Sequence, residues 1–207
     1  MKTMLQHGLV LVLSLAGSQA LAQDQTQESG WMVRARAVHI DPADRSTPLA
    51  GTGGSDRIHV SNKTIPEIDI SYFFTPQLAA ELILTYPQKH DVMLDGARIG
   101  SLRHLPPTLS AQYHFAPQAA LNPYLGVGVN YTRISHVKLL NGAADLEKNS
   151  WGLALQAGVD IRLDARWSLN VDVKKLNLRS DLLLGGAHAS TVKVDPVLFG
   201  VGVGYRF

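Results

Sequence analysis

The chain has 207 residues, of which 45% are hydrophobic and 17% charged, with a formal net charge of +2 and no cysteine. The low charged fraction argues against intrinsic disorder, the missing cysteines exclude disulfides and any Cys-ligated zinc or iron–sulfur site, and the weak net charge gives no field that suggests a nucleic-acid partner. The length suits one domain with a sizeable core or two small ones, and no apolar run after the N-terminus is long enough for a helical multispan protein.

Residues 1–22 have the parts of a secretory signal. Lys2 supplies the positive start, Gly8 to Ala16 the apolar stretch, and Ala20-Leu21-Ala22 the small-residue cleavage pattern. The mature chain is then expected to begin at Gln23, with residues 23–207 as one domain.

From there the pattern has period two, the signature of strands. Trp31, Val33, Ala35 and Ala37 oppose Arg34 and Arg36. Ile68, Ile70, Tyr72 and Phe74 oppose Glu67, Asp69 and Ser71. Leu78, Ala80, Leu82, Leu84 and Tyr86 oppose Glu81 and Thr85. A fourth segment sets Leu105, Pro107, Leu109, Ala111, Tyr113 and Phe115 against Thr108, Ser110, Gln112 and His114. Leu125 to Arg133, Trp151 to Arg162 and Trp167 to Lys174 repeat the design. The last segment sets Val197, Phe199, Val201, Val203, Tyr205 and Phe207 against Leu198, three glycines and Arg206. Eight strands are therefore expected.

A soluble sandwich buries such apolar faces, whereas a transmembrane barrel turns them to lipid. Three features favour an all-β, eight-stranded antiparallel transmembrane β-barrel. The apolar faces begin or end in aromatic residues, as in the girdles at membrane interfaces. The opposite faces carry ions and glycines suited to a narrow lumen, where Arg34, Arg36, Glu67, Asp69, Glu81 and Asp160 are expected to pair. The connections alternate between tight turns (75–77, 116–122, 163–166) and long links (41–64, 87–102, 135–150, 177–195), as short periplasmic turns alternate with outer loops. The chain also stops on Phe207, with Tyr205 on the same face, which reads as the terminal aromatic signal for the barrel-assembly machinery. The expected location is the outer membrane of a Gram-negative bacterium. The expected partners are its lipid and lipopolysaccharide, the assembly machinery with periplasmic chaperones, and small hydrophobic solutes.

The sequence resembles the OmpW family of small outer-membrane barrels, which includes the AlkL-type alkane-uptake proteins. The likeness rests on Trp31-Met32-Val33-Arg34-Ala35-Arg36, Leu105-Pro106-Pro107-Thr108 followed by Gln112-Tyr113-His114-Phe115, Asn122-Pro123-Tyr124-Leu125-Gly126-Val127-Gly128, and Asp195-Pro196 followed by a strand ending Gly204-Tyr205-Arg206-Phe207. It covers essentially the whole mature chain, with a departure in the first long loop around Gly51-Thr52-Gly53-Gly54. The resemblance implies an eight-stranded barrel with a narrow, partly hydrophobic channel that passes small hydrophobic molecules.

Beside the resemblance stands a physical route. An eight-stranded barrel is too narrow for an open aqueous pore, so a hydrophobic solute would bind on apolar lumen residues and leave sideways. The candidates for that binding are Val38, Ile40, Ile83 and Leu176. Proline lacks an N–H and cannot complete a ladder, so Pro106 and Pro107 are expected to open a lateral window between the third and fourth strands; the alternative is a strand that begins at Thr108, with the prolines only ending a loop. The alternatives are a structural or receptor-type barrel with a sealed lumen and, less favoured, a lipid-modifying enzyme. Ser110 and His114 lie about 13 Å apart along one strand, too far for a nucleophile and its base. The histidines show no metal-ligand spacing, and neither a metal nor another cofactor is expected.

Overall fold

The computed structural model describes residues 30–207 apart from residue 44; the signal segment and the start at Gln23 lie outside the described residues. The strands are β1 (Trp31–Asp41), β2 (Arg45–Ser46), β3 (Ile58–Val60), β4 (Lys63–Phe73), β5 (Leu78–Leu84), β6 (Gln88–Leu94), β7 (Ala97–Leu105) and β8 (Thr108–His114). They continue with β9 (Leu121–Leu139), β10 (Ala144–Leu146), β11 (Asn149–Arg162), β12 (Trp167–Leu176), β13 (Arg179–Leu184), β14 (Ala187–Lys193) and β15 (Val197–Arg206).

Eight of them close a barrel. Around the wall run β1, β4, β5, β8, β9, β11, β12 and β15, each antiparallel to its neighbours, and β15 returns to β1 with Val33 opposite Tyr205. Closure is what lipid demands, because no water is available there for an unpaired strand edge.

Side-chain alternation makes the two faces. Trp151, Leu155 and Val201 are each at least 60% exposed, which in water would be a large apolar surface and here is the lipid contact. The inward set is polar: Arg34, Glu81, Gln112, Asn130 and Asp172 are all buried. Aromatic clusters ring the ends of the wall. Trp31, Tyr72 and Phe74 pack edge to face at 4.9 and 5.1 Å, and Trp167, Tyr205 and Phe207 at 4.9 and 5.0 Å. Tyr131 meets Trp151 at 4.8 Å toward the other end.

The tight turns hold themselves. Thr75 Oγ1 accepts from the Leu78 N–H at 2.9 Å, and Asp164 Oδ1 accepts from the N–H groups of Arg166 and Trp167 at 2.8 and 2.7 Å.

The expected long links are not loops. They fold into β2, β3, β6, β7, β10, β13 and β14, which extend the wall beyond the outer aromatic ring. Lys63 to Glu67, expected as link or its margin, begins β4. The reason is a change of surroundings along single strands. Inside the membrane β9 turns Leu125, Val127 and Val129 outward and Asn130 inward; farther on, Ile134 and Leu139 are the buried side chains and Arg133 is exposed. Once water replaces lipid outside, the apolar side chains belong inside. There Ile58, Val92, Leu102, Ile134, Leu139, Leu146, Leu182 and Val192 form the main apolar cluster of the described residues.

The inner glycines make room for the lumen's larger side chains. A Cβ on Gly202 would lie 2.1 Å from the Ala35 carbonyl oxygen and 2.7 Å from Arg36 Cα. Gly202→Val is therefore expected to destabilise the barrel by about 1–3 kcal/mol, read as a lower urea midpoint of the heat-modifiable band. Val201→Ala on the lipid face shifts it less.

Candidate functional site

The barrel axis is filled from the periplasmic side upward. Arg34, on β1, reaches Glu81 and Asp160, both at 2.8 Å, and Arg36 reaches Asp69 at 2.6 Å, Asp172 at 2.9 Å and Glu81 at 3.0 Å. Lys174 pairs with Glu67 and, at 3.2 Å, with Asp172. Gln156 Nε2 donates to both Glu81 and Asp172, and Tyr124 OH donates to Asp172 at 2.9 Å. The six charges expected in the lumen are thus one connected network, buried and satisfied mainly by one another. Asp172 and Lys174 complete it. Both stand on the polar face of the seventh strand, among the ions that the sequence assigns to the lumen side.

Above the ions lies an apolar layer. Val38, Ile40 and Leu176 meet there with Ile65, Ala154 and Leu198. Ile83 is equally buried, on β5 beside Thr108, but lies outside that cluster. Ile65 was hidden because it precedes the expected second strand. Leu198 was visible as the large inward residue of the last one.

The wall is broken at one side of this level. Pairing of β5 with β8 ends at Ile83 opposite Thr108, and the continuing chains pair again only at Gln88 opposite His104, on β6 and β7. Pro87, Pro106 and Pro107 occupy the interval, and none has an N–H to give. The fourth barrel strand consequently begins at Thr108, while Leu105, expected as its first residue, ends β7. The far side stays joined to β9: Tyr131 N–H donates to the Pro107 carbonyl at 3.1 Å, and Asn130 Nδ2 does so at 3.2 Å. Toward β4, pairing with β5 stops at Ile68 opposite Leu84, and beyond it Thr85 Oγ1 donates to the Pro66 carbonyl at 3.3 Å.

Over this level sits a slender apolar cavity of about 30 Å³, inside the extension. Val60, Leu102, Ile134, Leu178 and Val192 line it, and His104 contributes a polar group beside the broken ladder. Apart from Ile134 and His104, its residues fall in the expected links, which is why the sequence reading missed it. His104 is pushed down to about 3 by burial and by the neighbouring His90 and Lys63 charges, so it is neutral.

His114 lies between Asn122 Nδ2 at 3.0 Å and Gln112 Oε1 at 3.3 Å, partners other than Ser110. Tyr205 and Phe207 lie on the lipid-facing rim, where Arg166 Nη1 donates to Tyr205 OH at 3.1 Å.

A closed eight-stranded wall with an apolar outside, an ion-filled axis and an apolar chamber above it defines a small outer-membrane β-barrel of Gram-negative bacteria. The chain belongs to the OmpW family, whose profile matches residues 27–207. It is similar to the uncharacterized outer-membrane protein y4mB of Sinorhizobium fredii, at 42% identity over 86% of this chain and 80% of that one. It is 32% identical to outer membrane protein W of Escherichia coli over the full length of both. The crystal structure of OprG from Pseudomonas aeruginosa superposes with a TM-score of 0.75 at 27% identity, covering 87% of this chain and 97% of that one.

Arg36→Met should cost about 3–5 kcal/mol in denaturant unfolding, because the carboxylates it serves stay buried without their cation. A second expectation concerns acid. His104 has an ordinary value of 6.5 and a folded value of about 3, so the unfolded state takes up a proton first. Its contribution to the stability of the extension is therefore full above pH 6.5 and declines as pH falls toward 3. Amide exchange in β6 and β7, corrected for intrinsic rate, should accelerate from pH 7 to 4.5, and His104→Phe should flatten that dependence.

Proposed function

We propose that this barrel carries small hydrophobic molecules across the lipopolysaccharide leaflet and releases them sideways into the bilayer. The observation that carries the reading is the position of the apolar cavity. It stands over an axis filled by ions and aliphatic side chains, and it ends at His104, next to the interrupted ladder. A solute that enters above the ions has no axial way down. Crossing the ion network would strip a route through charges whose partners are each other, whereas the proline interval offers a wall without a complete row of hydrogen bonds. On this reading Pro106 and Pro107 form the window with Pro87, and Val38, Ile40, Ile83 and Leu176 serve as its apolar floor and side. No chemical step and no cofactor is involved.

The filled axis equally suits a structural barrel with a sealed lumen, and transport separates the two. Vesicles with lipopolysaccharide in the outer leaflet, carrying the folded protein, should take up a hydrophobic solute faster than protein-free vesicles, with no gain for a polar solute of the same size. Replacing both Pro106 and Pro107 by Val, in a barrel that remains heat-modifiable, should return hydrophobic uptake to the protein-free rate. Uptake that survives this change removes the window. Faster passage of the polar solute replaces the whole scheme with an aqueous pore.

A further inference from the structure

The outer half of the wall carries cations that no anion of the chain answers. Arg103 on β7, Arg133 on β9, Lys148 just before β11 and Arg179 on β13 are exposed, and among the described residues none of their side chains has a hydrogen bond or an ion pair. The cations of the periplasmic rim differ. Arg162 donates to the Gln118 carbonyl at 3.4 Å, Arg166 donates to Tyr205 OH at 3.1 Å, and Arg206 lies 4.3 Å over the Phe73 ring. The outer cations are also set against like charges, with Arg103 opposite Lys89 and Arg179 opposite Lys193. Cations directly across a ladder repel and cost stability. Such an arrangement becomes favourable when an anion is shared among them.

Their height is that of the membrane surface. Tyr131 and Trp151, a pair of the outer aromatic ring, stand opposite each other, and Arg133 opposite Asn149 comes two residues farther out, roughly 7 Å along the strand. Trp151 is 73% exposed, more than any other large apolar side chain described. An open groove lies on each side of this pair. One, of about 660 Å³, holds Arg133 and Lys148 with Tyr131 and Asn149. Asp145 lines it too, but its Oδ1 accepts from the Leu146 N–H at 2.8 Å and it pairs with neither cation. The other, of about 450 Å³, runs from Val129 and Leu153 beside Trp151 to Asn177 and Arg179. Gly152, opposite the buried Asn130, permits it. A Cβ there would lie 1.7 Å from the Asn177 carbonyl oxygen, and the Asn177 N–H donates to the Leu153 carbonyl at 2.8 Å. The chain leaving β12 thus tucks behind β11 and leaves a shoulder on the outer face.

We propose that this face binds a molecule of lipopolysaccharide by its lipid A. Arg133 and Lys148 on one side of Trp151 and Arg179 on the other hold the phosphates, and acyl chains lie along Val129, Trp151 and Leu153. Guanidinium groups match phosphate through paired N–H donors, and here they stand free at headgroup height. A free phosphate has no use for the apolar part of the groove, and a soluble polyanion does not reach it. Both parts together describe a phosphorylated lipid of the outer leaflet. The site lies apart from the interval at Pro87, Pro106 and Pro107, so it holds whether or not a solute passes there.

The test uses the full folded barrel in phosphatidylcholine nanodiscs. It is titrated with bisphosphoryl lipid A, with the same lipid stripped of its phosphates, and with phosphatidylglycerol. Bound lipid is counted by native mass spectrometry, and the Trp151 indole N–H resonance, assigned by its loss in Trp151→Phe, is followed in 15N-labelled protein. Bisphosphoryl lipid A is expected to bind and to move the Trp151 resonance, and the stripped form to bind at least about tenfold more weakly. Replacing Arg133, Lys148 and Arg179 together by Gln should weaken lipid A binding about 100-fold, while Arg57→Gln with Arg98→Gln, outer cations that pair with Asp95 and Asp91, should leave it within about threefold. Equal binding of the two lipid A forms, or unchanged binding to the triple variant, overturns the site. Phosphatidylglycerol binding as tightly as lipid A, with the same Trp151 shift, overturns lipopolysaccharide as its occupant. The comparison of the lipids on the unmodified protein decides the question even where the triple variant fails to fold.

Discussion

A polypeptide in lipid has to satisfy every backbone N–H and C=O from within itself, and this chain does so by closing eight strands. Most of the remaining structure follows from that closure. Eight strands give a tube whose interior is only wide enough for side chains, so the lumen must be filled by the chain's own residues. The filling is charged because alternation assigns the lipid-facing positions to apolar residues and leaves the polar ones facing in. Charges confined there are tolerable only as a network, and the links from Arg34 and Arg36 to carboxylates on β4, β5, β11 and β12 tie the wall together across its diameter.

The same rule inverts outside the bilayer. On β1 the inward residues change from Arg34 and Arg36 to Val38 and Ile40, and the outward ones from Val33 and Ala35 to His39 and Asp41. A single strand is therefore polar inside at one end and apolar inside at the other. The inversion places an apolar chamber directly upon an ionic stopper. Between these two regions the ladder from β5 to β8 is interrupted, and Pro87, Pro106 and Pro107, which have no N–H groups, occupy the interval.

The transmembrane part was legible because period two persists over each span and the alternative phase would put ions against lipid. Trp167 to Lys174, with four apolar and four polar positions in strict turn, shows why. The inward place of Val38, Ile40, Ile83 and Leu176 followed from the same phase. The extension was not legible, and for a physical reason. Its strands are short, its ladders shift register at Val92/Met93 and Leu182/Leu183, and its apolar residues obey the soluble rule rather than the lipid one. A reading that sought outward apolar faces saw only links there. Glycine and left-handed positions such as Asp95, Gly96, Gly185 and Gly186 marked two hairpin tips within those links, a signal of turns between strands that could have been used. Similarly, Pro106 and Pro107 drew attention as the start of a strand, but Pro87 on the facing chain acquires meaning only once the register sets it in the same interval.

The length of β9 sets the height of the wall. Its 19 residues extend roughly 60 Å along the strand, or about 45 Å in height after the tilt usual for such walls, against an apolar band of about 25 Å. The upper end of the wall is thus raised well above the apolar band, as a chimney stands above a roof. Because the shaft and the membrane wall share one unbroken stave, the height of that end is fixed by covalent chain rather than by the pose of a loop.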